Sequence, residues 1–217
     1  MNVAIRFAIV VALAAALAYF AGPWLRHVLY VGELIAEDRP LSLPIPVRGV
    51  SLRALRDSFG APRAGDRKHQ GIDIFAPRGT PVVSATRGIV ARVGENSLGG
   101  TVVWVLGPGG DRHYYAHLDS VADIRSGQRI VTGEVLGAVG NTGNARSTPP
   151  HLHYGIYRSA GGAINPFPLL TQPAPRPRPE VARADDQRNG GGGRSTLLPR
   201  SRRSSSSAMV AASALPC

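Results

Sequence analysis

Residues 101–117 read TVVWVLGPGGDRHYYAH, and this stretch decides how the fold is built. Residues 101–106 are rich in β-branched and aromatic side chains, and residues 112–117 form a second, aromatic-rich run. The GPGG segment at 107–110 is a strong turn signal, because Gly and Pro interrupt regular structure. The sequence therefore predicts a β-hairpin over residues 101–117.

Short runs of the same kind lie on both sides of this hairpin. They are separated by Gly, Pro and Asn, and no helical pattern lies between them, which indicates antiparallel pairing. The fold class expected is mainly β, with an antiparallel, sandwich-like core. The predicted strands are residues 72–76, 81–85, 88–93, 101–106, 112–117, 134–139 and 151–157.

A short helix is predicted just before the sheet, over residues 50–59. Ser51 can act as its N-cap, and Leu52, Leu55 and Phe59 follow at helical spacing. Gly60 is expected to end it.

The last predicted strand carries two histidines, His151 and His153. Residues two apart on a strand point to the same face, so both imidazoles are expected to face one cleft. One can be a metal ligand while the other handles a proton or stabilises an oxyanion.

A second group combines His69 with Asp73. On a straight strand this spacing separates them by about 13 Å, too far to share one ion. A bend at Gly71 would resolve this: Asp73 opens the strand and His69 folds back from the preceding loop.

Together with His117, at the end of the hairpin, these residues can hold and use zinc. His69, Asp73 and one of His151 and His153 would form a set of three ligands with a fourth position open, as catalytic zinc sites require. The two remaining histidines could then act on water and on the oxyanion. The residues alone leave the choice between His151 and His153 open.

These motifs resemble the lysostaphin/LytM-type zinc metallopeptidases, peptidase family M23, which cut peptide bonds in peptidoglycan. The resemblance runs from about Asp57 to Leu170, in the family's order. The matching motifs are Ser58-Phe59-Gly60, His69-Gln70-Gly71-Ile72-Asp73, Tyr115-Ala116-His117-Leu118, Gly140-Asn141-Thr142-Gly143 and His151-Leu152-His153-Tyr154.

The resemblance implies a zinc metalloendopeptidase that acts on peptidoglycan stem peptides or crosslinks during cell-wall remodelling. One Zn²⁺ per domain would lie in a groove, held by His69, Asp73 and His153, with His117 and His151 as the catalytic histidines. The insert at residues 144–150 is longer than in many members, so we expect it to line the groove and to influence specificity.

Two other readings compete with this one. A non-catalytic envelope protein could bind peptidoglycan and activate an amidase, but relatives of that kind typically lose zinc ligands, and all five positions are filled here. Residues 126–137 resemble a lipoyl or biotinyl carrier domain, but the only lysine, Lys68, is far from any suitable hairpin in sequence.

The N-terminal segment, residues 1–30, directs the chain to the cell envelope. Residues 7–25 carry no charge and can just span a bilayer, so we expect an uncleaved anchor in the inner membrane with the domain on the periplasmic face. A small-x-small site at Ala16-Leu17-Ala18 leaves a cleaved signal peptide open. A Pro-containing linker is expected at 31–50 and the peptidase domain at 51–170.

Residues 171–217 are rich in Pro, Arg, Gly and Ser and predict a disordered tail. The formal net charge of +11 is compatible with a polyanionic partner, but no interleaving of Arg with aromatic residues appears, so no nucleic acid is expected. The single cysteine, Cys217, excludes a disulfide framework within the chain.

Overall fold

The computed structural model describes residues 2–172. Within this range it holds two α-helices, α1 (Val3–Ala36) and α2 (Phe167–Thr171), and eleven strands. The strands are β1 (Pro62–Arg63), β2 (Arg67–Lys68), β3 (Ile72–Phe75), β4 (Pro81–Val83), β5 (Gly88–Asn96), β6 (Gly100–Leu106), β7 (Arg112–Val121), β8 (Arg129–Ile130), β9 (Val135–Val139), β10 (His151–Arg158) and β11 (Gly162–Ile164).

Nine of these strands form one antiparallel sheet, in agreement with the predicted fold class. The main path runs β11-β10-β7-β6-β5-β8, and β1 and β2 form a separate two-stranded hairpin. β10 pairs with β7 along one edge and with β3 and then β11 along the other. β7 passes from β10 to β9 along its length, and β9 in turn pairs with β4.

Alternating side chains of the central strands form the core. In β6, Val103 and Val105 are fully buried, and Tyr115 of β7 and Tyr154 of β10 pack ring to ring at 5.3 Å between centroids. The Tyr115 hydroxyl accepts a hydrogen bond from the Ala85 amide at 2.9 Å, so the buried phenol is not left without a partner. The hairpin predicted over 101–117 is confirmed by the antiparallel pairing of β6 with β7.

The helix predicted over residues 50–59 is wrong. Only one 3₁₀ turn forms, at Leu52–Ala54, and the Ser51 side chain makes no capping bond. Leu55 leaves the turn with extended backbone (φ −69°, ψ 145°) and is buried in the core. Burial of this side chain against the sheet outweighs a weak local helix preference.

α1 is longer than the uncharged run at 7–25 and continues to Ala36, six residues into the segment assigned to the linker. Its first part is exposed, whereas Leu34 near its end is fully buried. The chain after it is also packed on the domain, since Leu43 and Val47 belong to the core and Val47 bridges to Val82. The predicted disordered tail lies, from residue 173 onward, outside the described residues.

Candidate functional site

Three side chains converge where β3 meets β10. His153 lies directly opposite Asp73 in the strand register, and His69 reaches the same point from the loop after β2. His69 Nε2 is 2.8 Å from His153 Nδ1 and 3.1 Å from Asp73 Oδ1, and His153 Nδ1 is 3.2 Å from the same oxygen. The two nitrogens and the oxygen thus face a common centre.

This donor set fits zinc. A tetrahedral zinc ion with bonds of about 2.0–2.1 Å holds its ligand atoms roughly 3.3 Å apart, close to the separations here. His69 Nδ1 donates a hydrogen bond to the Ser58 carbonyl oxygen at 2.8 Å, which leaves a lone pair on Nε2 toward the centre. Backbone bonds of this kind orient metal-binding histidines in known sites.

The protonation states of the cluster also suit a cation. Burial alone would raise the pKa of Asp73, but the polar contacts with His153, His69 and Arg63 outweigh it and hold the pKa well below its usual range. Burial lowers the pKa of His153, which favours the neutral imidazole. An ionised carboxylate beside a neutral imidazole is the form in which these groups bind metal.

The bend expected at Gly71 is confirmed, because His69 and Asp73 meet despite their spacing in sequence. A Cβ on Gly71 would overlap the Tyr154 carbonyl oxygen and would lie 2.9 Å from His153 Nε2. Only a residue without a side chain lets the loop approach β10 this closely.

His117 reaches the groove through an irregularity in β7. Strict alternation would send it to the core side with Tyr115, but its backbone is left-handed, with φ of 63°. The pairing of β6 with β7 shifts register at this point, as in a β-bulge, and bulges re-aim side chains beside active sites. The ring consequently lies 5.0 Å from that of His151, between centroids.

Both histidines are held by backbone carbonyl groups through Nδ1. His117 Nδ1 donates to the Thr142 oxygen at 2.9 Å, and His151 Nδ1 donates to the Pro149 oxygen at 2.8 Å. Each ring therefore keeps its Nε2 free, and that of His151 is 3.8 Å from Asp73 Oδ1. Burial, aided by His151 and His153, lowers the pKa of His117 to about 4.

His113, also in β7, is not part of this group. It is buried in the core, where Nδ1 is 2.7 Å from the Tyr154 hydroxyl, and burial lowers its pKa to about 4.

The cluster opens into a groove of about 590 Å³. Asn144, Ala145 and Thr148 line one part of it, which confirms that the insert at 144–150 borders the groove. Two further sets of lining residues were not predicted from the sequence. They are the aromatic residues Trp104, Tyr114 and Tyr157, and the cations Arg63, Arg67 and Lys68.

Signals for both sets are present in the sequence. Tyr157 is an even number of residues from His153, so it belongs to the same face of β10. The hairpin register pairs Trp104 with Tyr114, which places them side by side. Arg63 and Arg67 flank a Gly-Asp turn that the sequence also displays.

The comparison with known protein families agrees with this geometry. The profile of Peptidase family M23 matches residues 67–166, a range that contains all five clustered residues. Residues 67–166 form an M23 peptidase domain. The match begins at Arg67, the first residue of β2, so β1 and α1 precede the matched range.

Two named relatives are similar to part of this chain. The chain is 37% identical over 140 residues to an L-Ala–D-Glu endopeptidase of Bacillus subtilis, covering 59% of this chain and 42% of the relative. It is 39% identical over 119 residues to the DD-carboxypeptidase/endopeptidase Mpg of Neisseria meningitidis, covering 55% of this chain and 25% of the relative. The chain thus spans less than half the length of these relatives.

A solved structure shows the same fold. The catalytic domain of the antimicrobial peptidase lysostaphin from Staphylococcus simulans superposes with a TM-score of 0.50 at 28% identity. The match covers 56% of this chain and 96% of that domain. The M23 domain here is therefore comparable in extent to a separate catalytic domain.

Proposed function

We propose that this chain is a zinc-dependent metalloendopeptidase that hydrolyses peptide bonds in peptidoglycan. The observation that carries the proposal is the meeting of His69 Nε2, Asp73 Oδ1 and His153 Nδ1 within 3.2 Å of one another, at the base of a groove in an M23 domain. The names of the relatives, both endopeptidases, support the same reaction class.

His69, Asp73 and His153 would hold one zinc ion. When bound, zinc supplies Lewis acidity, which activates water at neutral pH and polarises a carbonyl group. The protein contributes the ionised Asp73 carboxylate and the two ring nitrogens. The Ser58 carbonyl oxygen keeps His69 in the tautomer that binds metal.

His117 and His151 would act on the reacting groups. Each has Nδ1 committed to a backbone carbonyl oxygen and Nε2 directed away from it. A neutral imidazole accepts a proton from the attacking water at Nε2, and a protonated one donates from Nε2 to the oxyanion. The edge-on arrangement of the two rings, at 64°, lets them serve different atoms of one peptide bond.

The enzyme would work at the periplasmic face of the inner membrane. α1 is long and apolar enough to cross a bilayer, and the helix surface before Gly22 is exposed, as a lipid-facing segment would be. Its last turns pack on the domain through Leu34, and Arg129 donates to the Arg26 carbonyl oxygen at 3.1 Å. These contacts support an anchor that remains joined to the domain.

Alanine variants of the full chain test the reaction and the metal together. We expect His69→Ala and Asp73→Ala to lose both zinc and activity, because each removes a ligand. His117→Ala should keep about one zinc per chain and lose turnover by about a hundredfold or more, as expected for a general acid–base group. Zinc is measured by mass spectrometry of the metal, and activity by mass spectrometry of fragments released from peptidoglycan.

His27→Ala, in α1 and remote from the groove, is the matched histidine control and should change neither value. Normal hydrolysis by His117→Ala would contradict the assignment. Metal-free wild-type protein that stimulates a separate amidase, without cleaving peptidoglycan itself, would instead establish the activator function.

A further inference from the structure

One wall of the groove is a cationic hairpin. β1 and β2 carry Arg63, Arg67 and Lys68, all exposed and all bordering the groove immediately before His69. Among residues 2–172, Asp73 is the only acid that lines the groove, and its carboxylate belongs to the candidate metal centre. Away from that centre, the charge of the groove is therefore positive and confined to one side.

The register of the hairpin places two of these cations against each other. Arg63 lies directly opposite Arg67, so their side chains project from the same face. Like charges at facing positions destabilise a strand pair, and an anion between or beside them would offset that cost. The Asp73 carboxylate offsets part of this cost at Arg63, and an anion beside Arg67 would offset the remainder.

Among residues 2–172, one of the three cations has an acidic partner. Arg63 Nη2 lies 2.5 Å from Asp73 Oδ2, which ties this guanidinium to the metal centre. Arg67 Nε donates to the Ala64 carbonyl oxygen at 3.0 Å, which fixes the stem but leaves the terminal nitrogens available. In the part of the chain that the structure describes, no carboxylate forms an ion pair with Arg67 or Lys68.

The rest of the groove is uncharged apart from its histidines. Three aromatic residues that contact one another, Trp104, Tyr114 and Tyr157, line another part of it. The neutral residues Asn96, Asn144, Ala145 and Thr148 also line it. A peptide bound in the groove would therefore meet cations at the hairpin β1–β2 and neutral groups elsewhere, which favours a substrate with a free carboxylate.

We propose that Arg67 and Lys68 form a subsite for a free carboxylate of the peptide substrate. Arg67 offers a planar fork that fits a carboxylate with paired hydrogen bonds, and Lys68 adds a point charge. The inference rests on the proposed peptidase function and specifies its substrate as an acidic peptide. Stem peptides offer two sources of that carboxylate, the α-carboxylate of D-Glu and the free carboxylate of diaminopimelate.

Two pairs of labelled stem peptides test the subsite. Within each pair the peptides differ only by a free carboxylate or a carboxamide, on D-Glu in one pair and on diaminopimelate in the other. Binding to the full-length His117→Ala protein is followed by fluorescence anisotropy, so that the readout does not depend on cleavage. We expect the carboxylate form of one pair to bind about tenfold more tightly, the effect of one exposed charge-assisted contact.

Substitution at the hairpin should remove this preference. In the same background, Arg67→Gln with Lys68→Gln is expected to bring the ratio of dissociation constants close to one, through weaker binding of the carboxylate peptide alone. Arg67→Lys should retain only part of the preference, because it keeps the charge but cannot form the paired hydrogen bonds. Arg48→Gln, an exposed arginine outside the groove, is the matched control and should leave the ratio unchanged.

Failure of this inference and failure of the peptidase proposal are distinguishable. Equal affinities within both pairs, or no binding of any peptide, overturn the carboxylate subsite even if the wild-type protein cleaves peptidoglycan. A clear carboxylate preference that is lost in the double variant supports the subsite, even if wild-type protein cleaves nothing and the peptidase proposal falls. The pair that shows the preference identifies which carboxylate is bound.

Discussion

At the scale of single residues, backbone geometry determines which side chains enter the groove. His117 has left-handed backbone, a conformation that costs a non-glycine residue roughly 1–2 kcal/mol. The surrounding hydrogen bonds compensate, since its amide donates to the Gly99 oxygen at 2.7 Å and its Nδ1 to the Thr142 oxygen. Strain at such a position is often associated with function.

Gly71→Ala should disrupt the metal centre. The added Cβ would overlap the Tyr154 carbonyl oxygen, which belongs to β10 and has little room to move. We expect a loss of about 1–3 kcal/mol in the free energy of unfolding, together with weaker zinc binding. Urea denaturation and a zinc titration measure the two effects.

Gly94→Ala is the control for that substitution. Its Cβ would meet only the Arg92 side chain at 3.5 Å, so stability and zinc affinity should stay close to wild type. Equal behaviour of the two variants would show that the close approach at Gly71 has no role.

His113 should make stability depend on pH. Burial lowers its pKa from 6.5 in the unfolded chain to about 4 in the folded protein, so the unfolded chain binds the proton more tightly. Protonation of the unfolded chain therefore does not reduce the free energy of unfolding at pH values well above 6.5. It reduces that free energy progressively as the pH falls from 6.5 toward about 4. From about pH 7.5 to about pH 5 the expected loss is about 2 kcal/mol.

The measurement compares urea denaturation of wild type and His113→Phe at both pH values. The phenylalanine variant lacks this titration, so its stability should fall by less, and the difference between the two losses isolates His113. An identical pH dependence in the two proteins would contradict a buried, neutral histidine.

At the scale of elements, the turn before β10 secures the irregular part of β7. Thr142 Oγ1 donates to the Leu118 oxygen of β7 and accepts from the Thr101 amide of β6, both at 3.0 Å. The carbonyl oxygen of the same residue holds the His117 ring. One threonine thereby links two strands to the position of a candidate catalytic group.

Thr142→Val tests this link, because it removes the hydroxyl group with little change in shape. We expect a loss of about 1–3 kcal/mol in stability, since both backbone partners would lose a bond. Turnover should fall while the zinc content stays near one, because no proposed ligand is touched. Thermal unfolding, hydrolysis and metal content are the readouts.

Thr80→Val provides the comparison, since the Thr80 hydroxyl only donates to the Pro77 oxygen in an exposed turn. It should leave turnover unchanged. A Thr142→Val protein with full activity would show that His117 is positioned by other contacts.

The strands with several alternating residues, such as β6 and β10, were predicted nearly to their bounds. The four strands that were not predicted are short: β1, β2 and β8 have two residues each and β11 has three, which makes a period of two hard to see. β4 also has only three residues, but it lies within the predicted strand at 81–85. The predicted helix at 50–59 failed for a different reason: the local helix preference was weak, and burial of Leu55 decided the backbone.

At the scale of the whole molecule, α1 connects an apolar segment to a polar domain. Tyr30 lies under the Arg129 guanidinium at 4.0 Å, and Arg39 forms an ion pair with Asp111 at 3.0 Å. Arg87 bonds both Tyr30 and Glu37. The domain therefore contacts both the last turns of the helix, through Tyr30, and the residues that follow it, Glu37 and Arg39.

We expect the chain to keep its N-terminal segment and to remain in the membrane fraction after an alkaline carbonate wash. Cleavage after Ala18 would separate the apolar part of α1 from turns that are packed on the domain. Intact-mass analysis of purified protein measures the outcome. A variant lacking residues 2–25 should be released into the soluble fraction, and a native chain that begins at Tyr19 would contradict the anchor.

The sequence by itself determined the class of fold and predicted the residues of the candidate site. The spacing of His69, Asp73, His117, His151 and His153, together with short strands and glycine turns, indicated an antiparallel domain with a zinc-binding groove. These features are local, because strand alternation and turn chemistry depend on near neighbours.

Only the tertiary structure decided which atoms meet. The pairing of β10 with β3 places His153 opposite Asp73, and the register shift in β7 turns His117 from the core to the groove. The hairpin β1–β2 brings Arg67 and Lys68 to the wall of the same groove. Such contacts join residues far apart in the chain, and strand register and packing of the whole sheet, rather than local preference, determine them.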